Sequence, residues 1–489
     1  MRTEAGRPRF LALAGLIVGI FSANAYGQPA PDQPVQEPTP PAGPVERAAP
    51  GGETGAPTVP APEVGGLWQR DRLLGDMLGL RTVLGGYGVS LGLQETSEVW
   101  GNPTGGVSQG MAYDGLTEMS LGLDLEKAIG LKGGLFNVSA FQIHERGLTL
   151  TRIDNLNVIS SIEARPTARL FELWYQQSFF DGKLDIRVGQ LAADQEFVLS
   201  TYGSLFINSS FGWPTLNAAD LPAGGPAYPF ATPGVRLRAR PVEPLLVQAG
   251  IYNGNPAGPG VGDPQERNSS GTIFILTGVF VIGEIQYAIN QGEGATGLPG
   301  TYKLGGWYNS NPFPDQRFDF LGISLASPDS VGIPRSLRNN YSIYAVADQL
   351  VYRPAGAKEG GIGLFARVMG APGDRNLINF FADGGVTYRG VIPGRPDDTF
   401  GVGLGYARIS SSARALDVDT ALFSGTFHRV RQNESLIEVT YQYQAAPWWI
   451  VQPDFQYIFN PAGGIANPSN PGRRVGDAAV LGLRTAITF

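Results

Sequence analysis

The chain of 489 residues contains no cysteine and only two histidines, His144 and His428. No disulfide can form, and a zinc site of the His/Cys kind has no cluster to draw on. The 36 basic residues fall short of the 43 acidic ones, for a formal net charge of -7. With no basic surplus to neutralise phosphates, a nucleic-acid partner is excluded. Long apolar runs are also missing. The stretch from Phe10 to Phe21 is too short for the roughly 20 residues that a membrane-spanning helix needs. No nucleophile is marked near either histidine, so a Ser-His hydrolase is not supported. A glycosidase would need only two carboxylates, which Asp194 and Glu196 offer as any acidic chain does. No enzyme activity and no cofactor are expected.

What the chain does have is 68 glycines, 10% aromatic residues and a mean hydropathy of -0.06. That is too polar for a helical membrane protein, yet it suits a transmembrane barrel, where half of every strand faces water. The final segment, Ala478 to Phe489, alternates strictly. Ala479, Leu481, Leu483, Thr485, Ile487 and Phe489 form one face, and Val480, Gly482, Arg484, Ala486 and Thr488 the other. Such an apolar edge must be paired or closed. At the other end, residues 1–27 combine Arg2, Arg7 and Arg9 with the Phe10–Phe21 core and small residues at Ala23-Asn24-Ala25, the pattern of an export signal.

Residues 28–65 are dominated by Pro, Ala, Gly, Glu and Gln, and are expected to form a disordered periplasmic tail open to cell-wall or periplasmic contact. Residues 66–86, with Leu67, Leu73, Leu74, Met77, Leu80 and Leu84 near helical spacing, predict a short amphipathic helix at the periplasmic mouth. A structural lid is the plainer expectation for it, and a gating role the sharper one. From Tyr87 to Phe489 no helical period is evident. Alternating runs begin near residues 87, 116, 134, 168, 183, 234, 245, 272, 301, 341, 362, 377, 399, 434, 448 and 478. The expected fold class is therefore all-β: a closed antiparallel transmembrane barrel of about sixteen strands, with a short N-terminal periplasmic helix. Short turns alternate with mostly long outer loops, the first at Gly101–Asp114 and the longest, the third, at Leu191–Pro233. A barrel this wide selects nothing unless something folds inward, and the third loop is the candidate constriction.

The sharpest polar signal lies on the sixth strand, where Arg236, Arg238 and Arg240 alternate with Val235, Leu237 and Ala239. Arginines facing lipid would cost about 2 to 4 kcal/mol each, so they must face inward. On the preceding strand Asp185 and Arg187 alternate with Leu184, Ile186 and Val188. Further inward candidates are Glu172, Arg367, Glu438, Gln442, Gln444, Asp454, Gln456 and Arg484. Guanidinium donors beside carboxylate and amide acceptors suit the many replaceable hydrogen bonds of a sugar, and Trp213 could offer a flat face to its C–H groups. The plainer alternative is that such residues only keep the wall wet and mutually paired.

Several words of the sequence resemble the carbohydrate-selective porins of the OprB family. They include Trp68-Gln69-Arg70-Asp71, Glu172-Leu173-Trp174-Tyr175-Gln176-Gln177, Gly189-Gln190-Leu191-Ala192-Ala193-Asp194-Gln195-Glu196-Phe197, Phe211-Gly212-Trp213-Pro214, Gly305-Gly306-Trp307-Tyr308 and Pro453-Asp454-Phe455-Gln456-Tyr457. The resemblance runs over Leu67 to Phe489 and implies an outer-membrane channel passing monosaccharides by passive diffusion. It places an arginine-lined eyelet at Arg236 and Arg238, with Asp194 and Glu196 as partners; Arg187, Trp213 and Arg367 complete the expected channel residues. Carbohydrate solutes and outer-membrane lipid are the implied partners, and homo-oligomer formation stays open. A general or weakly anion-selective porin, and a plugged barrel acting as an adhesin, also stay open.

Overall fold

A computed structural model describes residues 66–291, 295–357, 359–468 and 470–489. The expected export signal and the proline-rich tail, residues 1–65, lie outside the described residues. Twenty strands follow in order: β1 Val89–Gly106, β2 Gly110–Asp124, β3 Gly134–Glu145, β4 Thr167–Phe179, β5 Leu184–Leu191, β6 Thr232–Val242, β7 Leu245–Asn253, β8 Val279–Ile289, β9 Gly300–Asn309, β10 Phe313–Asp319, β11 Pro334–Leu337, β12 Asn340–Tyr352, β13 Gly361–Gly370, β14 Ile378–Arg389, β15 Thr399–Ile409, β16 Asn433–Ala446, β17 Trp449–Phe459, β18 Ala466–Asn467, β19 Asn470–Arg474 and β20 Gly476–Thr488. Sixteen of them form one closed barrel in the order β1 to β9, β12 to β17 and β20. The pairs β10–β11 and β18–β19 are separate ribbons in the outer loops.

Closure satisfies the C-terminal edge. Glu98 pairs with Arg484 and Ser97 with Thr485 across β1 and β20, while Trp449 to Ile458 pair along the other side of β20. Every barrel strand thereby loses its unpaired edge, which is the condition for a sheet to sit in hydrocarbon. The alternation sorts chemistry by face: Ile186, Val188, Val235, Leu237, Ile285, Leu304, Ile343, Leu364, Leu404 and Leu483 are exposed on the outside, while Asp185, Arg236, Glu284, Lys303, Asp348, Arg367, Glu438 and Arg484 are buried inside.

Four expectations are corrected. The amphipathic helix over residues 66–86 shrinks to Leu80–Gly86, because Met77, Leu78 and Gly79 take left-handed backbone conformations that break a helix. The turns before it dock on the barrel's closing seam: Leu73 N donates to Thr488 O at 2.8 Å and Trp68 stacks on Trp448 at 5.9 Å. The first outer loop is not Gly101–Asp114, since β1 and β2 stay paired out to Asn102 and Gly110. The eighth strand starts at Val279 rather than near 272, because Thr277 N donates to Asn253 Oδ1 and Ile273 N to Asn268 Oδ1 in place of a ladder. Finally, helices do occur after Tyr87. The largest, Ser411–Ser424 in the seventh outer loop, is capped by Ser410, whose Oγ accepts from Ala413 N.

Candidate functional site: the barrel interior

The forty-residue connection between β5 and β6, the third outer loop, turns into the barrel and packs as a small core of its own. Phe197, Val198, Trp213, Leu216 and Leu221 are buried together with the wall residues Phe280, Trp307, Tyr344 and Phe381. Phe206 and Phe211 lie 4.7 Å apart by ring centroid, and Phe206 lies 5.6 Å from Phe365 of β13. Glycine makes room for them. A Cβ on Gly401 would come within 2.5 Å of Leu205, and one on Gly403 within 2.7 Å of Phe211, so the Gly-Val-Gly-Leu-Gly run of β15 presents a bare inner face to the loop.

Buried backbone amides of such a loop need acceptors, and inward carboxylates supply them. Val198 N donates to Glu284 at 3.0 Å, Ile207 N and Asn208 N donate to the two oxygens of Glu438 at 2.6 and 3.0 Å, and Ser200 Oγ donates to Asp348 at 2.6 Å. Val198 has a φ of 66°, costly for a β-branched residue. It is held there from both sides, since its carbonyl accepts from Arg367 Nη1 at 2.8 Å.

A second loop joins in, which the sequence reading did not anticipate. Within residues 146–166, between β3 and β4, Leu156 N and Asn157 N donate to Glu434 at 2.8 and 2.7 Å. Ser161 N donates to Ile207 O and Ser209 N to Val158 O, which couples this loop to the third one. A repeated inward carboxylate on β8, β12 and β16 was the signal available for these anchors, but one acid per strand looks the same whether it faces water or a loop.

The arginine ladder stands on the wall where the third loop begins and ends. Arg187 lies directly opposite Arg236, and Asp185 opposite Arg238. Like charges this close require carboxylates between them. Asp185 contacts both Arg236 and, at 2.9 Å, Arg238. Glu196 reaches in from the loop to Arg187 at 2.7 Å and Arg236 at 2.5 Å. Gln176 Oε1 accepts from Arg187 Nη2 at 2.9 Å and Arg236 Nη2 at 3.0 Å, and the Arg187 guanidinium lies 3.9 Å over the Trp174 ring.

The expected site residues therefore separate. Arg187, Glu196, Arg236 and Arg238 share one network. Within it Arg236 is fully buried, while the side chains of Arg187, Glu196 and Arg238 keep 14%, 13% and 16% of their surface exposed. Asp194 Oδ2 accepts from Tyr228 N at 3.0 Å and so ties the loop's two ends together. Trp213 is buried in the loop core, with Nε1 donating to Gly224 O at 2.9 Å, which leaves little of its ring for a solute. Arg367 sits on β13, paired with Asp383 and donating to Val198, Ser210 and Gly212 carbonyls, so it is covered by the loop. Sequence parity set Arg187, Arg236, Arg238 and Arg367 inward; it could not show which would meet solvent and which a loop.

The barrel fold agrees with comparisons to known proteins. The chain is 27% identical over 446 residues to Porin B of Pseudomonas aeruginosa, covering 85% of this chain and 91% of that one. It is 23% identical over 467 residues to the putative porin QuiX of Acinetobacter baylyi, covering 86% and 94%. The high-pH structure of Pseudomonas putida OprB superposes with a TM-score of 0.75 at 23% identity, covering 87% of this chain and all of that one. The low-pH structure of the same protein superposes with a TM-score of 0.52 at 19% identity, covering 86% of this chain and 99% of that one. Residues 108–489 match the family model described as "Carbohydrate-selective porin, OprB family". A closed sixteen-stranded barrel with an apolar outer wall, and that match over most of its length, make this chain a member of the carbohydrate-selective OprB porins, located in the bacterial outer membrane.

Proposed function

We propose that the barrel passes glucose-like monosaccharides by passive diffusion, without catalysis, through a gap between the wall arginines Arg187 and Arg238 and the inward-folded second and third loops, from which Glu196 reaches toward the wall. One observation carries this reading: two guanidinium groups and one carboxylate stay partly exposed where each is already held by a partner. Arg187 is fixed by Trp174, Gln176 and Glu196, and Arg238 by Asp185. Groups held in this way present donors and acceptors at fixed positions, so a sugar can exchange its water for them at little ordering cost. Arg236 braces the ladder from beneath, and Asp194, Trp213 and Arg367 hold the third loop rather than contacting solute.

Three arginines stand against Asp185 and Glu196 here, which also favours a second reading, a weakly anion-selective pore without sugar preference. Single-channel conductance in planar bilayers with glucose titrated in separates the two. Concentration-dependent block that weakens in Arg238→Ala supports the sugar reading. An open channel indifferent to glucose, with anion-biased reversal potentials, supports the other.

A further inference from the structure

The closing seam of the barrel has a notch at the rim that carries the short turns. β20 ends beside Leu93 of β1, so the first residues of β1, Val89 to Gly92, have no strand on that side. Residues 66–86 fill the notch. Leu73 N donates to Thr488 O at 2.8 Å, the Arg81 guanidinium donates to Leu91 O and, at 2.7 Å, to Phe489 O, and Trp448 Nε1 donates to Leu67 O at 2.8 Å. These bonds satisfy carbonyls that a sheet edge would otherwise leave unpaired.

Aromatic rings on the outside mark the level at which this happens. Phe179, Tyr287, Tyr302, Phe400 and Tyr443 are exposed on the outer wall next to the short turns, as in the girdle that a barrel places at a membrane–water interface. Trp449 stands in the same girdle. It lies opposite Ile487, and its Nε1 donates at 2.8 Å to Thr485, on the outward face that Leu483 shares. Trp68 packs 6.5 Å from Trp449 as well as on Trp448, so the segment crosses the seam on the lipid side. There Leu74, Leu80 and Val83 are exposed by 46%, 44% and 58%, and Leu78 is wholly exposed. Bare apolar side chains at girdle level, with Arg70 and Arg72 among them, have the composition of an element that lies in a bilayer interface.

We propose that residues 66–86 dock on the periplasmic leaflet of the membrane, with Leu74, Leu78, Leu80 and Val83 entering its acyl boundary and Arg70 and Arg72 lying among its phosphate headgroups. The choice of occupant follows from continuity: the segment extends, at the level of the girdle, an outer wall that lipid already covers. It is a lipid-bound clasp on the closing seam and not a lid across the pore. The inference rests on the outer-membrane placement and not on sugar selectivity.

The cysteine-free sequence makes the test clean. Leu74→Cys and Leu78→Cys are each given a nitroxide label in vesicles of phosphatidylethanolamine and phosphatidylglycerol, with folding checked by heat-modifiable gel mobility. Leu304→Cys on the outer wall and Asp181→Cys in the turn between β4 and β5 serve as references. The ratio of collisions with oxygen to collisions with a water-soluble nickel chelate rises with depth in a bilayer. At both leucine positions it is expected to exceed the Asp181 ratio several-fold and to approach that of Leu304. Ratios equal to that of Asp181 would overturn the proposal. The double variant Leu74→Glu with Leu78→Glu is expected to leave single-channel conductance unchanged; a changed conductance would place the segment over the lumen and equally overturn it.

Discussion

At the scale of single residues, the ladder divides its work between arginines that meet solvent and one that does not. Arg238 donates to Asp185 and stays partly exposed, so Arg238→Ala removes donors without opening a hole in the wall. Losing one or two charge-assisted hydrogen bonds is worth about 1.5 to 3 kcal/mol, so glucose block should weaken by about tenfold or more while the fold survives. Arg238→Lys should recover only part of this, because an ammonium lacks the planar fork; block constants from noise analysis would show it. Arg236→Ala has a different expected outcome. It leaves the Asp185 and Glu196 carboxylates facing one another without their shared cation, and breaking such a buried pair costs about 3 to 5 kcal/mol. The variant should therefore lower the urea midpoint of the barrel more than Arg238→Ala does.

At the scale of elements, the third loop is held by carboxylates it does not itself contain. Glu438→Ala strands the amides of Ile207 and Asn208, and Gly403→Leu places a side chain where Phe206 and Phe211 lie. Both should release the loop from β15 and β16, read as a larger and noisier single-channel conductance with sugar block reduced. The outer helix Ser411–Ser424 shows a second kind of tether. The Arg317 guanidinium, donating to Asp419, holds that carboxyl below the usual carboxylate range, with Ser324 Oγ adding a further bond. A carboxylate with a depressed pKa contributes stability that is fully present above its ordinary value, near 3.9, and is lost as the pH falls through the depressed one. Hydrogen exchange in residues 411–424, corrected for intrinsic rates, should therefore rise at acid pH, and Asp419→Asn should show the faster exchange already at neutral pH.

At the scale of the molecule, stability depends on closing the cylinder and keeping its outer wall apolar. Leu304 faces outward on β9 and is 61% exposed, so Leu304→Arg should cost about 2 to 4 kcal/mol if its level is near the bilayer midplane. Reversible denaturation in lipid vesicles would measure that. The same substitution in detergent, where the wall is covered by mobile chains, should cost less.

Strand number and the parity of the arginine strands were legible in the sequence because a barrel imposes a two-residue period, so Arg236 and Arg238 could be placed inward from their apolar neighbours alone, while the family was legible in motifs such as Glu172-Leu173-Trp174-Tyr175-Gln176-Gln177. The third loop stood out by length and aromatic content. What parity could not contain is distance between segments far apart in the chain. Glu438 and Arg367 read as wet wall residues until the loop is laid against them, and Trp213 reads as a free ring until its own loop closes over it. The helix expected over residues 66–86 failed at Met77 to Gly79, where the backbone conformation follows from docking on the closing seam. Local alternation along the chain was enough to specify the barrel and the facing of its arginine strands. Which inward groups solvent reaches became clear only from the folded chain, because that depends on where two long loops come to rest.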